Sequence, residues 1–173
     1  FLVWSRLMEE ELRSHFPEYS HRTIVNIGAP QFDGHTDPSN IMQREEFCER
    51  LGLDTSKPII LYCTGGPHVC RNEHLLIKEL QDTIQQLAKV AHPQLLIRLH
   101  PYFWNTDLRV YENIKGAAVW PRQEDVPQML GGSTSGLLDD YRMMLSSFYH
   151  QALNINVAST VTIDSMIFDR PVI

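Results

Sequence analysis

Pro58-Ile59-Ile60-Leu61-Tyr62-Cys63 is a continuous apolar run that stops at Thr64-Gly65-Gly66. A half-exposed strand alternates apolar and polar residues, whereas an unbroken apolar run is a strand covered on both faces. Downstream, Asn72 to Val90 carries Leu75, Leu76, Leu80, Ile84 and Leu87 at helical spacing. Gln94-Leu95-Leu96-Ile97-Arg98-Leu99-His100 is a second apolar strand, closed by Pro101. A weak helix over Leu108–Ile114 leads to the strand Ala117–Trp120, and a loop rich in Gly, Ser and Pro is predicted over Pro121–Gly136. Then come a helix from Leu138 to Gln151, the strand Leu153–Val157, a helix opened by Ser159-Thr160 that ends near Asp169, and the strand Pro171–Ile173. Strands alternating with helices make right-handed crossovers, so the fold class is α/β: a doubly wound, Rossmann-like parallel sheet with helices on both faces.

Working back toward the start, the polar run Asp33–Asn40 reads as a linker, and Ile41–Leu51 as a short amphipathic helix stopped by Gly52. Thr23–Ile27 is a short strand rich in β-branched residues, closed by Gly28-Ala29-Pro30. Ser5–Phe16 has helical character, with Leu7, Met8, Leu12 and Phe16 on one side. The organisation expected is a strand-helix-strand and linker over residues 1–40 and a nucleotide-binding domain over 41–173. An abrupt apolar start without methionine, and a close on Pro171-Val172-Ile173, are the marks expected of a segment of a longer polypeptide.

Composition narrows the function. A net charge of −6 over 173 residues argues against a surface that coats nucleic acid. No stretch approaches the ~20 uninterrupted apolar residues of a membrane helix, and three cysteines point to reduced thiols in a cytoplasmic setting. Cys63 and Cys70 flank His68, but the spacing matches no common zinc pattern, so no metal is expected.

In doubly wound sheets ligands sit outside the carboxyl ends of the strands. Three strand ends carry chemistry. Thr64-Gly65-Gly66 lets the backbone turn sharply and offers N–H groups to an anion; a turn that simply needs glycine is the plain alternative. Arg98 and His100 share a face of their strand, and Pro101 holds His100 extended at its tip, where an imidazole can bond a phosphate or ribose oxygen. Ser159 and Thr160 open a helix, where free N–H groups and hydroxyls suit a phosphate, a role compatible with capping. Asp164 follows one turn later and can accept ribose hydroxyls. Asp139 and Asp140 read as the acidic first turn of the Leu138–Gln151 helix rather than as catalytic acids.

The Arg98-Leu99-His100-Pro101 strand end, with Asn156-Val157-Ala158-Ser159-Thr160-Val161-Thr162-Ile163-Asp164 and Phe168-Asp169-Arg170-Pro171-Val172-Ile173, resembles the carboxy-terminal domain of GT-B glycosyltransferases. Within these it looks closest to the CDP-glycerol glycerophosphotransferase-like group of surface-carbohydrate enzymes. Asn26-Ile27-Gly28-Ala29-Pro30-Gln31-Phe32-Asp33 resembles the passage between their two domains. The resemblance implies a donor-nucleotide-binding domain of a transferase that moves a sugar or alditol phosphate from a nucleotide-activated donor to a cell-surface glycan acceptor. It implies no cofactor, an acceptor site in an amino-terminal domain outside this chain, and a cytoplasmic enzyme that can associate peripherally with the inner face of the membrane. Thr64, Gly65, Gly66, Arg98, His100, Pro101, Ser159, Thr160 and Asp164 are the nucleotide-site candidates, and His100 is the candidate for a catalytic part. A sugar-nucleotide 2-epimerase and a non-catalytic flavodoxin-like module are the alternatives.

Overall fold

The computed structural model describes residues 1–66, 69–87, 92–103, 107–130 and 134–173. His68, the end of the helix expected to reach Val90, and the glycines of the loop before residue 134 lie outside the described residues. The chain divides into two compact units, Phe1–Asp37 and Pro38–Ile173.

In the first unit, β1 (Leu2–Val3), α1 (Arg6–His15) and β2 (Val25–Asn26) form a parallel two-strand crossover. Ser5 caps α1 by accepting the Met8 amide at 3.2 Å, and i,i+4 pairs Arg6–Glu10 and Glu9–Arg13 brace its exposed side. The segment expected as an irregular linker is wound into 3-10 turns over Pro30–Thr36 and Pro38–Asn40. Proline opens each turn, its fixed φ suiting the first helical position.

The second unit is a parallel sheet between helices. Its elements are α2 (Arg44–Leu51), β3 (Ile59–Cys63), α3 (Glu73–Leu87), β4 (Gln94–Arg98), α4 (Arg109–Glu112), β5 (Ala117–Trp120), α5 (Val126–Leu130), α6 (Thr134–His150), β6 (Leu153–Asn156) and α7 (Val161–Ile167). Gly52 ends α2 with φ 67, a left-handed turn that costs glycine nothing. Side-chain alternation sends Tyr62, Leu95, Ile97 and Val119 to one face, against Ile77 and Ile84 of α3 and Tyr111 of α4. Ile59, Leu61, Leu96 and Trp120 go to the other, against Phe47 of α2 and Met143 and Phe148 of α6. Both faces are therefore covered, which is what the unbroken apolar runs require. The expected loop from Pro121 to Gly136 is shorter than predicted, because it contains α5 and the first turn of α6. Pro127 is tolerated as the second residue of α5, where its missing N–H has no helical partner to lose.

The strand order is β5-β4-β3-β6, all parallel, with Val172 bridged in parallel to Asn154 on the far side of β6. The chain thus steps outward from β3 to β4 and β5, then returns across β3 to lay down β6. The order reverses between β3 and β6. That reversal is the topological switch point, where open α/β sheets bind ligands outside the strand ends.

Candidate functional site

Register fixes what meets at the switch point. Cys63, the last residue of β3, pairs with Arg98 of β4 on one side and Asn156 of β6 on the other. With strands ~4.8 Å apart, the turns after β4 and β6 flank the Thr64 turn within ~10 Å of one another along the sheet edge.

Thr64 and His100 are joined directly. The Thr64 hydroxyl accepts the His100 backbone amide at 2.8 Å, while the Thr64 amide donates to the Arg98 carbonyl at 2.9 Å. The Gly65 amide turns inward and donates to Glu73 at 3.1 Å, so this N–H faces the protein and not an incoming anion. Gly66 packs on the Tyr102 ring, which a Cβ there would approach to 3.4 Å. Tyr102 also stacks obliquely on His100, with ring centroids 4.6 Å apart, and its amide donates to His100 Nδ1 at 3.2 Å. Burial lowers the His100 pKa from the ordinary 6.5, so the imidazole is neutral at pH 7. With Nδ1 accepting, the single proton resides on Nε2. His100 therefore offers one donor, at Nε2. Pro101 begins a 3-10 turn over Pro101–Phe103 that carries Tyr102 back toward His100.

Arg98 does not sit at the rim. It is 8% exposed, and its Nη2 donates to both carboxylate oxygens of Asp140 at 3.0 and 3.2 Å. Trp120 Nε1 donates to the same Asp140 oxygen at 2.9 Å. Asp139 forks onto Arg50, at 2.7 and 2.6 Å. Both aspartates lie beyond the first turn of α6, because that helix begins at Thr134. Their expected place in the acidic first turn is corrected accordingly: they are partners of buried and half-buried arginines.

On the β6 side, Asn156 organises the turn into α7. Its Oδ1 accepts the Ser159 amide at 3.0 Å, and its Nδ2 donates to Thr162 Oγ1 at 3.1 Å and to Asn154 Oδ1 at 2.9 Å. Ser159 Oγ accepts the Val161 amide at 3.4 Å, whereas Thr160 is exposed with its side chain outside the cap. Ala158 takes φ 49 to complete the turn. Asn156, Ser159, Thr160 and Thr162 line a cleft of about 610 Å³ whose apolar side includes Ile163 and Val172. Asp164 is half-buried in the first turn of α7. Thr64 and His100 do not line this cleft, so the candidates fall into two groups on either side of the end of β3.

No protein-family model and no curated protein matches the chain. Solved structures do. A structure of the wall teichoic acid polymerase TagF is 21% identical over 99% of the chain, with a TM-score of 0.51. A histidine-to-asparagine variant gives 22% and 0.53, and the same variant soaked for 30 minutes with CDPG gives 23% and 0.51. The chain has the fold of part of TagF. It spans 36–38% of the length of these TagF structures, and at this identity the likeness is one of fold.

The residues that reading the sequence overlooked are Glu73 and Asn156, together with the Tyr102 amide that fixes the His100 tautomer. Asn156 was open to notice, as a polar residue closing its strand just before Ser159-Thr160. Glu73 has the local pattern of any first-turn acid. Among the described residues no group of three or more His, Cys, Asp or Glu could hold a metal, and no helix among them is long and apolar enough to cross a membrane. Burial pushes the Cys63 thiol up to about 12, which keeps it protonated.

His150 is also held below 6.5, by burial first, and its Nε2 pairs with the Met42 carbonyl at 2.8 Å. For both histidines the unfolded chain binds a proton more readily than the folded one. Their contribution to stability is thus intact above about pH 6.5 and is lost as pH falls below it. Burial raises the Glu73 carboxyl from 4.5, which acts in the opposite sense at lower pH. A His150→Gln variant, whose amide nitrogen still reaches the Met42 carbonyl, is expected to show a shallower fall of Tm below pH 6.5. Identical Tm-against-pH slopes for wild type and variant would refute this assignment.

Proposed function

We propose that this chain is the donor-nucleotide-binding region of a transferase that moves a sugar or alditol phosphate from a nucleotide-activated donor to a surface-glycan acceptor. The observation that carries the reading is the strand reversal between β3 and β6, which gathers the Thr64 turn, His100 and the Ser159–Thr160 turn along one sheet edge. Support comes from the shared fold with TagF, a wall teichoic acid polymerase with a structure taken after CDPG soaking.

On this reading, an acceptor hydroxyl attacks the donor's activated carbon or phosphorus and the bond to the leaving nucleotide phosphate breaks. Negative charge then grows on that leaving phosphate. His100 Nε2–H and the Ser159 and Thr160 hydroxyls are the donors on this chain that would meet it. A neutral imidazole serves as a fixed donor there without itself needing to change charge. The acceptor site and general base belong to the GT-B amino-terminal domain that the sequence resemblance implies.

Isothermal titration with CDP, CMP, UDP and GDP tests the reading. One nucleotide is expected to bind, and Ser159→Ala with Thr160→Ala to weaken it about tenfold or more, since hydrogen bonds to a charged group contribute about 1.5–3 kcal/mol each. No binding by this chain or by the full-length protein would refute the reading in favour of a non-catalytic module.

A further inference from the structure

Among the described residues Glu73 is the one carboxylic side chain buried outright, at 1% exposed. An acid in the first turn of a helix ordinarily serves from the surface, where it meets the helix dipole at no desolvation cost. Burying it is expensive unless donors are arranged around it. Glu73 Oε1 accepts two: the Tyr62 hydroxyl at 3.0 Å and the Gly65 amide at 3.1 Å. Oε2 has no hydrogen-bond partner among the described residues. Burial, with Glu73 adding to it, holds the Tyr62 hydroxyl well above its ordinary pKa of 10.0, so it remains a donor.

The turn held by this carboxyl has little slack. A Cβ on Gly65 would stand 3.2 Å from Val69 Cβ, so the glycine lets the turn close against the approach to α3. One residue back, the Thr64 hydroxyl takes the His100 amide. A continuous series of contacts therefore runs from the Glu73 carboxyl through Gly65 and Thr64 to His100.

We propose that Glu73 is a positioning residue of the candidate site: by holding the Gly65 amide it sets the Thr64 hydroxyl, and through it the place where His100 presents Nε2. The proposal rests on the reading of this strand end as part of a donor site. Its mechanical part is testable without any ligand.

The test is the imidazole nitrogen NMR spectrum of His100 in Glu73→Met, Glu73→Asp and Glu73→Gln. Glutamine keeps an Oε1 for Gly65 and Tyr62, so His100 should keep its Nε2–H tautomer and depressed pKa. Methionine removes the acceptor, and aspartate withdraws it by one methylene while leaving a carboxyl in place. In both, the His100 pKa should move up toward 6.5 and its two nitrogen shifts toward the average of the two tautomers. If the methionine variant does not fold, the aspartate variant decides alone. Unchanged His100 tautomer and pKa in either folded variant would overturn the proposal. CDP titration separates it from the function it rests on. Loss of about tenfold in affinity in Glu73→Met or Glu73→Asp, restored in Glu73→Gln, supports the positioning role. CDP binding that survives Glu73→Met and Glu73→Asp, but not the Ser159 and Thr160 replacements, would overturn it and leave the donor reading standing. A His100 response in a protein that binds none of CDP, CMP, UDP and GDP would support the linkage and remove the donor reading alone.

Discussion

Asp140→Ala is expected to cost the second unit about 3–5 kcal/mol, the range for removing one partner of a buried ion pair. Asp140 accepts from Arg98 through both oxygens and from the Trp120 indole through one of them. Arg98 has a side chain only 9% exposed, and its Nη1 already lacks a hydrogen-bond partner among the described residues. Deleting the carboxylate strands a guanidinium in the sheet's covered face and leaves the indole N–H unsatisfied as well. The Arg50–Asp139 pair one residue earlier on α6 has tighter distances, yet its side chains are 33% and 40% exposed. Solvent screens it, so Asp139→Ala should cost only about 0–1 kcal/mol. Geometry alone would rank these two pairs the other way; burial decides. Replacing Arg98 with Met and Asp140 with Leu together should cost much less than Asp140→Ala alone, because neither charge is then left uncompensated. Urea unfolding of the three variants beside the wild type measures all of this, and a cost below about 1 kcal/mol for Asp140→Ala would show the pair to be solvated.

That same pair shows where reading the sequence stops. The strands were legible because Ile59–Cys63 and Leu95–Ile97 are unbroken apolar runs, and an interior strand has no other pattern to adopt. Arg98 at the end of such a run looked like a group reserved for a ligand. Its partner lies 42 residues away, and no periodicity within a helix or strand reports a contact at that separation. Strand order was equally hidden. Five parallel runs with right-handed crossovers leave several orders open, and the return of β6 to the side of β3 is settled by pairing across the sheet. Helix starts failed for a local reason. Pro127 and the small residues after Leu130 carry the composition of a loop, yet proline fits the first turn of a helix, so α5 and the start of α6 went unseen. Of the candidate site, the hydroxyls, the glycines and His100 could be named from sequence. Their wiring could not, because the Tyr102 amide, Glu73 and Asn156 act through bonds that only the folded backbone brings within reach.

The wiring around His100 makes the second large prediction specific. On the transferase reading proposed above, His100→Ala in the full-length protein is expected to lower kcat by about 10²–10³-fold, the size of effect produced by removing one preorganised donor to a charge that develops in the transition state. The donor is Nε2, because the Tyr102 amide occupies Nδ1 and burial keeps the ring neutral. Two amide replacements then separate position from polarity. The side-chain nitrogen of glutamine reaches roughly where Nε2 lies, and that of asparagine only where Nδ1 lies. His100→Gln should recover part of the lost turnover, while His100→Asn should stay near the alanine level and also set an N–H or carbonyl against the Tyr102 amide. Release of nucleotide at saturating donor measures kcat, and the donor dependence gives KM. A loss confined to KM would mean that His100 binds donor and transition state equally. An alanine variant within about twofold of wild type in both constants would remove His100 from the chemistry. Recovery by asparagine rather than glutamine would put the working proton on Nδ1, and the Tyr102 contact would then have to be broken when substrate binds.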